Sequence, residues 1–394
     1  MFPRGKQDFR EARGIRWLPV GGGFEQVGGA VTRRTLVAAG LAPLAAQQAR
    51  PIRIGIIGLG SRSRNHLEGL KLQRVDAAIT ALCDLDSARA ARVNAALPAS
   101  AATYTDYREL LADRNVDAVV IVSPNFLHRE MALAALRAGK DVLVEKPLAL
   151  TYAAAREVAA EAARLGRVLA VGMQRRYFPA DARIRQLVEG GRIGAIHFIS
   201  YNEFRGDWNP NSWKYSDPVT GAETNWRYLR KTAGSSELEL SIHSFGFVQS
   251  LLNSSLVKLT ASGGTVHFKG RETRDLSTAI ADFSNGARLE YSFCGFAPGS
   301  WHNCSILGEK GALELHDNRL VIRSTAAKPE TEEFQPAESA ESQMYREFFR
   351  SVRDRTPSPL NPQFAIEASK LAYAMDISIL ENRAVTAADF TPRA

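Results

Sequence analysis

The stretch that decides the fold is IRIGIIGLGSRSRNHLEGL, residues 52–70. Ile52, Ile54, Ile56 and Ile57 form a β-branched run that reads as a short buried strand. Gly58-Leu59-Gly60-Ser61-Arg62-Ser63 follows, and a helical stretch comes next. This is G-x-G-x-x-G with serine in the third place. Gly58 permits a tight turn, Gly60 lets a pyrophosphate approach the backbone at a helix N-terminus, and Ser63 is small enough for close helix packing. A lone G-x-G also fits a plain strand–helix turn, so the surrounding chain has to decide.

It decides for a dinucleotide. A second strand, roughly residues 77–83, ends in Cys83-Asp84-Leu85-Asp86, which puts Asp84 26 positions after Gly58. That is near the spacing at which an acid meets the adenosine ribose hydroxyls. A carboxylate there repels a 2′-phosphate and favours NAD; Arg62 and Arg89 leave NADP open, since either could pair with that phosphate. The helix–strand pattern then repeats through YRELLADRNVDAVVIVSP, HREMALAALRAGK, DVLV, YAAAREVAAEAARLG and RVLAVGM. Such alternation implies a parallel sheet covered on both faces, with every strand's C-terminal end on one rim where ligands bind.

Ser123-Pro124-Asn125 and Glu145-Lys146-Pro147 both follow strands and so belong to that rim. An amine beside a nicotinamide can exchange a proton with a substrate hydroxyl. The alternative for Lys146 is an ordinary exposed loop lysine.

The totals exclude several classes. The chain has 394 residues and is 45% hydrophobic, which suits two or three packed domains. No run of about 18 apolar residues is present to span a membrane. Of the formal charge of +8, residues 1–50 carry +5, with 8 Lys and Arg against 3 Asp and Glu; the rest has 42 against 39. The body is nearly balanced and has no basic stripe, so nucleic acid is not an expected partner. Cys83, Cys294 and Cys304 form no metal-ligand pattern, and no metal is expected. Cys294 and Cys304 could meet across two strands, but free thiols are the expectation.

Residues 1–50 read as a leader. Arg33-Arg34 precedes an apolar segment, Leu36 to Ala46, in the order of a twin-arginine export signal at residues 31–49. A short helix with two surface arginines is the other reading. The Gly-rich residues 1–30 would bury the arginine pair within the chain, so a start at Val31 is expected. The protein is then periplasmic or exported with its cofactor already bound, and cytoplasmic if the leader is not a signal.

From Ile52 to the C-terminus the sequence resembles the Gfo/Idh/MocA oxidoreductase family, through GIIGLGSRS, CDLD, SPNFLH, EKP, VGMQRRY, ELSIH and the final helices. The resemblance implies an α/β fold: an N-terminal Rossmann dinucleotide-binding domain, 51–173, and a C-terminal α/β domain, 174–394, with a large, mostly antiparallel open sheet. The alternating segments AIHFISYNEF, LSTAIADFSNGARLEYSFCGF and NCSILGEKGALELHDNRLVIR agree with it, and Asn285-Gly286 marks a hairpin. The family's open sheet face makes a homodimer or homotetramer the expected assembly.

By the same resemblance Lys146 is the catalytic lysine, after a cis Lys146–Pro147 bond, and Glu145 orients it or meets the nicotinamide ribose. Gly58, Gly60, Ser61, Arg62, Asp84, Ser123, Asn125, His128, Glu145 and Arg176 are the expected cofactor-binding residues. SELELSIHSFGFVQSLL, residues 236–252, reads as a helix with Leu238, Ile242, Phe245 and Val248 inward, and Glu239 and His243 four apart on another face. A lone helix histidine is usually structural. The family pattern D-x-x-x-H makes His243 and Glu239 catalytic, with glutamate in place of aspartate. A second departure is Gly246, where the family often has aspartate. Arg205–Arg230 is the expected specificity segment: Trp208, Trp213, Tyr215 and Trp226 could stack on sugar faces and Lys214, Arg205 and Arg227 bind hydroxyls or a carboxylate; a surface Ω-loop is the alternative. Lys146, Trp226, Arg227, Glu239 and His243 are the expected substrate contacts.

The expected function is NAD(P)-dependent hydride transfer to or from a secondary alcohol of a sugar or cyclitol, with tightly held cofactor. The rivals are an NAD-dependent glycoside hydrolase with no net redox change and a non-catalytic nucleotide-binding protein.

Overall fold

The computed structural model describes residues 50–394 apart from 74, 207–213, 217–220, 222, 326, 336–337 and 392–394. The leader, Trp208 and Trp213 lie outside the described residues, as do the side chains of Lys214 and Tyr215.

The first layer is built from β1 (Ile52–Ile57), α1 (Ser63–Lys71), β2 (Ala77–Cys83), α2 (Ser87–Ala95), β3 (Ala102–Tyr104), α3 (Tyr107–Ala112), β4 (Ala118–Ile121), α4 (His128–Arg137), β5 (Asp141–Glu145), α5 (Tyr152–Arg164) and β6 (Leu169–Gly172). The strands pair in parallel in the order β3-β2-β1-β4-β5-β6, the doubly wound order of a Rossmann domain. Ile54, Ile56, Val119, Val120, Leu143 and Val144 are fully buried. The near-continuous β-branched runs follow from cover on both faces. The strand order reverses between β1 and β4, so the crevice beyond their C-terminal ends receives the Gly58 loop, Ser123 and, one strand further, Glu145.

The second part contains α6 (Pro179–Glu189), β7 (Ile196–Phe204), β8 (Lys214–Ser216), β9 (Glu223–Asn225), α7 (Arg230–Ala233), α8 (Ile242–Leu252), β10 (Leu256–Gly264), β11 (Leu276–Phe283), β12 (Arg288–Cys294), β13 (Trp301–Gly308), β14 (Gly311–His316), β15 (Arg319–Ser324), β16 (Glu330–Glu333), α9 (Ala340–Asp354), α10 (Pro362–Glu381) and β17 (Val385–Thr386). Nine strands order as β16-β15-β14-β13-β7-β12-β11-β10-β17, antiparallel except where β12 meets β7. The β11–β12 hairpin turns at Asn285-Gly286, with Gly286 at φ +84°. Side chains alternate buried and open along β11 and β12. The buried face packs under α8 and α10; the other stays open.

Because β7 inserts between β12 and β13, Cys294 and Cys304 are two strands apart, and the described cysteines are free thiols. No helix among the described residues is long and apolar enough to cross a membrane.

The chain finally doubles back. α9 packs along α1, where a Cβ on Gly69 would stand 2.8 Å from Glu341 Cβ. α10 reaches α5, and Tyr373 Oη donates to the Ala149 carbonyl at 2.8 Å. The C-terminal helices therefore buttress the first domain.

Candidate active site

A cleft of about 1260 Å³ runs along the rim of the parallel sheet and on to the inner face of the second sheet. At one end lies the glycine loop. Gly58 sits at φ +92°, and a Cβ there would be 2.7 Å from the Val122 carbonyl oxygen. Gly60 has nothing within 4 Å of its Cβ position, which leaves room for a phosphate at the start of α1. Ser63 Oγ donates to the Gly60 carbonyl at 2.7 Å and ties the turn to the helix. Asp84 is buried and accepts from Leu59 N at 2.7 Å, Asp86 N at 2.9 Å and Arg89 Nη1 at 2.9 Å. It thus braces the glycine loop, and Arg89 balances its charge.

The far side gathers Lys146, Glu239 and His243, with Trp226 and Arg227. Lys146 Nζ lies 3.1 Å from Glu239 Oε2 and also donates to the Glu239 carbonyl. Arg227 Nη2 is 2.7 Å from Glu239 Oε1, and its guanidinium stacks over the Trp226 ring at 4.9 Å. Asn125 Nδ2 donates to Glu239 Oε2 at 2.7 Å and to the Ala233 carbonyl at 3.0 Å. Burial opposes the charge on Glu239, but Arg227 and Lys146 outweigh it and hold the carboxyl below its usual range. Burial, aided by Arg227, lowers the Lys146 amine from its ordinary value against the pull of Glu239. Burial and then Lys146 push His243 well below its ordinary value, so the imidazole is neutral; its buried Nδ1 has no hydrogen-bond partner among the described residues.

Arg62, Asn125 and His128 line the cleft with the glycine loop but are also engaged with the protein's own groups, and Arg176 lies outside it. Arg62 does not face the adenosine end: Nε donates to Glu145 Oε1 at 2.6 Å and Nη1 to Glu341 Oε1 at 2.9 Å. Of the two expected arginines, Arg89 is the one beside Asp84. The Asn125 amide is engaged with Glu239 and Ala233 and holds the Glu239 carboxylate in place. His128 is buried, with Nδ1 at 2.7 Å from the Pro147 carbonyl and Nε2 at 2.8 Å from that of Ser123, so it braces the two rim loops. Two carbonyls favour a second proton on the ring, but burial dominates and lowers its pKa. Arg176 lies over the Phe364 ring at 5.3 Å, beside a cavity of about 10 Å³. Its neighbour Arg175 lines the main cleft instead, held by Asp181 at 2.7 Å. The tight turn at residues 174–177 sends consecutive side chains to different sides. Ser61 and Ser123 line the cleft as expected, and Ser123 Oγ has no hydrogen-bond partner among the described residues. The Lys146–Pro147 bond is cis.

The helix carrying Glu239 and His243 also differs. Glu237–Ser241 forms a π-helical turn before α8 begins at Ile242. A wider turn re-registers the backbone and is common at functional sites. Here Lys146 meets the Glu239 carbonyl within it. A Cβ on Gly246 would meet the Met173 methyl, the flexible end of a side chain that would have to shift. An aspartate at that position would have to displace the Met173 methyl.

Sequence reading missed His66, Tyr345, Glu341, Glu203 and His302. Glu203 and His302 stand opposite each other on β7 and β13 and line the cleft's second-domain end. Glu203 Oε2 accepts from Tyr291 Oη at 2.9 Å and Ser244 Oγ at 3.0 Å. His66 alone had a local signal, three residues after Ser63 on the helix that opens at the glycine loop.

The comparisons bear on the family and the fold. Residues 52–173 match the family described as "Oxidoreductase family, NAD-binding Rossmann fold", and residues 182–314 match the Gfo/Idh/MocA C-terminal domain. The chain is 26% identical over 272 residues to an inositol 2-dehydrogenase/D-chiro-inositol 3-dehydrogenase of Lactiplantibacillus plantarum, covering 68% of this chain and 72% of that one. The fold is shared with the WlbA dehydrogenase of Bordetella pertussis, solved with NADH and UDP-GlcNAcA (TM-score 0.74, 21% identity, 88% of this chain and 100% of that one). It is shared too with a levoglucosan dehydrogenase solved with NADH and levoglucosan (TM-score 0.75, 18% identity, 85% of this chain and 99% of that one). With the glycine loop, the E-K-P rim and both domain matches in place, the chain belongs to the Gfo/Idh/MocA family of NAD-binding oxidoreductases.

Proposed function

We propose that this enzyme oxidises or reduces a secondary alcohol of a sugar or cyclitol, with Lys146 handling the hydroxyl proton. The observation that carries the reading is the meeting of the Lys146 amine, the Glu239 carboxylate and the half-buried His243 imidazole in one cleft with the glycine loop. The cleft's residues fit NAD: open space at Gly60, the unpartnered Ser123 Oγ and the rim carboxylate of Asp84. Gly58, Gly60 and Ser61 would hold the pyrophosphate and Asp84 the adenosine ribose. When bound, NAD supplies the hydride acceptor.

This chain's residues do the rest. A neutral Lys146 takes the alcohol proton during oxidation, and the ammonium returns it during reduction. Burial favours the neutral form; Glu239 favours the ammonium. Both forms are then accessible, as a reversible proton carrier requires. The neutral His243 accepts or relays the same proton. Trp226 and Arg227 offer a stacking face and donors for the remaining hydroxyls. The named substrates of the relatives, inositols and levoglucosan, are polyhydroxylated rings and support this class.

The Arg33-Arg34 leader supports export, and an exported enzyme without free NAD is best served by a tightly held cofactor. The open sheet face carries exposed Leu276, Ile280 and Leu307, which supports self-association there. The test is to purify the protein, release and identify any nucleotide, and scan cyclitols, sugars and aryl glycosides for NADH formation. Polyol-dependent NADH formation that Lys146→Ala abolishes supports the reading. Glycoside hydrolysis without added NAD would replace it with the hydrolase. Turnover untouched by Lys146→Ala removes Lys146 from the chemistry.

A further inference from the structure

Behind Glu145 runs a closed chain of polar contacts that reaches the C-terminal helix. Glu145 is buried, and its Oε1 accepts from Arg62 Nε at 2.6 Å and from His66 Nε2 at 2.8 Å. Its Oε2 accepts from the Lys146 backbone N–H at 3.1 Å. His66 is fully buried, and its Nδ1 lies 2.6 Å from Tyr345 Oη on α9, 279 residues away. Arg62 is capped from the same helix by Glu341 at 2.9 Å.

For a His66 ring with one proton, the contacts allow one arrangement. Burial opposes the charge on Glu145, but Arg62 and His66 outweigh it and keep the carboxyl well below its ordinary range. The carboxylate accepts only, so His66 Nε2 must carry the proton. Nδ1 is then the acceptor, and Tyr345 Oη donates to it. Burial pushes the Tyr345 phenol well up, so it remains a donor.

We propose that Tyr345 and His66 are positioning residues: Tyr345 fixes the placement of the His66 ring, the ring fixes the Glu145 carboxylate, and through the Lys146 amide this sets the placement of the Lys146 amine. This rests on reading Lys146 as the proton-handling group. Glu239 and His243 from the helix, Arg227 from the segment after β9 and Glu145 from β5 are the charged or titratable groups around Lys146. Without the Tyr345 hydroxyl the buried Nδ1 loses its donor, and the His66 ring is no longer held at a second point against the Glu145 carboxylate. Glu145 turns away, and Lys146 loses a nearby anion that favours its ammonium.

The variants are Tyr345→Phe, which keeps the edge contact with His66 and the stack on Phe349, His66→Gln, which keeps a donor, and His66→Leu, which does not. The pH dependence of Lys146 acylation in the full-length protein, read by peptide mass spectrometry, reports its titration without any substrate. The titration moves to lower pH in Tyr345→Phe and His66→Leu, and much less in His66→Gln. On an oxidised polyol, kcat falls about tenfold or more while the KM for NAD stays within about twofold. An unmoved labelling profile in folded Tyr345→Phe and His66→Leu overturns the proposal, as does equal behaviour of His66→Gln and His66→Leu. If the profile moves but no polyol is oxidised, the positioning role stands and the proposed reaction falls.

Discussion

Removing the charge of Glu239 probes the site most directly. Its Oε2 stands 3.1 Å from Lys146 Nζ, and both side chains are almost wholly enclosed. With charge centres about 4 Å apart and an effective dielectric of about 20, the attraction is about 4 kcal/mol. At about 1.4 kcal/mol per pH unit, its full loss lowers the Lys146 pKa by about three. Glu239→Gln keeps a carbonyl that accepts from the ammonium, and such a bond recovers about 1 kcal/mol, leaving a shift of about two. The sign follows from the role. Oxidation needs the neutral amine, so activity is present above the Lys146 pKa and lost as pH falls through it. A lower pKa carries the acid limb of kcat/KM for oxidation down by about two pH units. The variant also leaves Arg227 and Lys146 without their anion, a loss of about 3–5 kcal/mol in stability, so thermal melting must first establish that it is folded. The assay is initial-rate NADH formation over a pH series at subsaturating polyol. An acid limb that stays within about half a pH unit of wild type in a folded, active Glu239→Gln enzyme would refute Lys146 as the titrating base.

Three further outcomes are expected. Gly58→Ala forces a Cβ to 2.7 Å from the Val122 carbonyl at φ +92°; at about 3 kcal/mol of strain and clash, NADH affinity read by fluorescence titration drops about a hundredfold. Arg89→Ala leaves the Asp84 carboxylate without its cation, so the ratio of NADPH to NADH affinity falls about tenfold or more; an unchanged ratio excludes Arg89 from cofactor choice. Asp117 accepts from Arg50 and Arg53; burial raises its pKa, but these bonds win and hold it depressed. Its contribution is therefore present above the unfolded aspartate value of about 4 and lost as pH falls toward the folded one. Asp117→Asn should melt at lower urea than wild type at neutral pH, with the gap closing in acid.

The parts of this site that were legible are those where short-range rules act. A β-branched strand, a glycine that must take positive φ and an acid at a fixed spacing each leave a local mark, and Gly58, Gly60 and Asp84 stand where those marks put them. Lys146, Glu239 and His243 needed the family pattern, because two distant segments of the chain supply them. What escaped was direction. Arg175 and Arg176 are adjacent, and only the turn geometry determines which one enters the cleft. Arg62 follows the glycine loop but turns to two carboxylates instead of a phosphate, and one of them, Glu341, lies 279 residues away. No periodicity encodes such a pairing. The π-helical turn was hidden for a related reason: the stripe Leu238, Ile242, Phe245, Val248 is buried in either helical form.

The departures at 239 and 246 can now be weighed together. Glutamate is one methylene longer than aspartate, and here its carboxylate reaches Lys146, Arg227 and Asn125, which come from three separate segments. A carboxylate fixed by three donors cannot wander, so the longer side chain does not loosen the site. The π-helical turn beneath it brings the residue's own carbonyl to the same amine, and Lys146 is gripped at two points of one residue. His243 has no aspartate at position 246, and burial followed by Lys146 holds the imidazole well below its ordinary value, so it stays neutral. An aspartate at that position would instead favour the imidazolium. The two changes thus act in one direction: positive charge is concentrated on Lys146 and Arg227 around one anion, while the histidine is kept neutral. In the proposed reaction such a division would give the amine the proton exchange and leave the imidazole as a neutral relay, and it is this division that the Glu239→Gln pH profile tests.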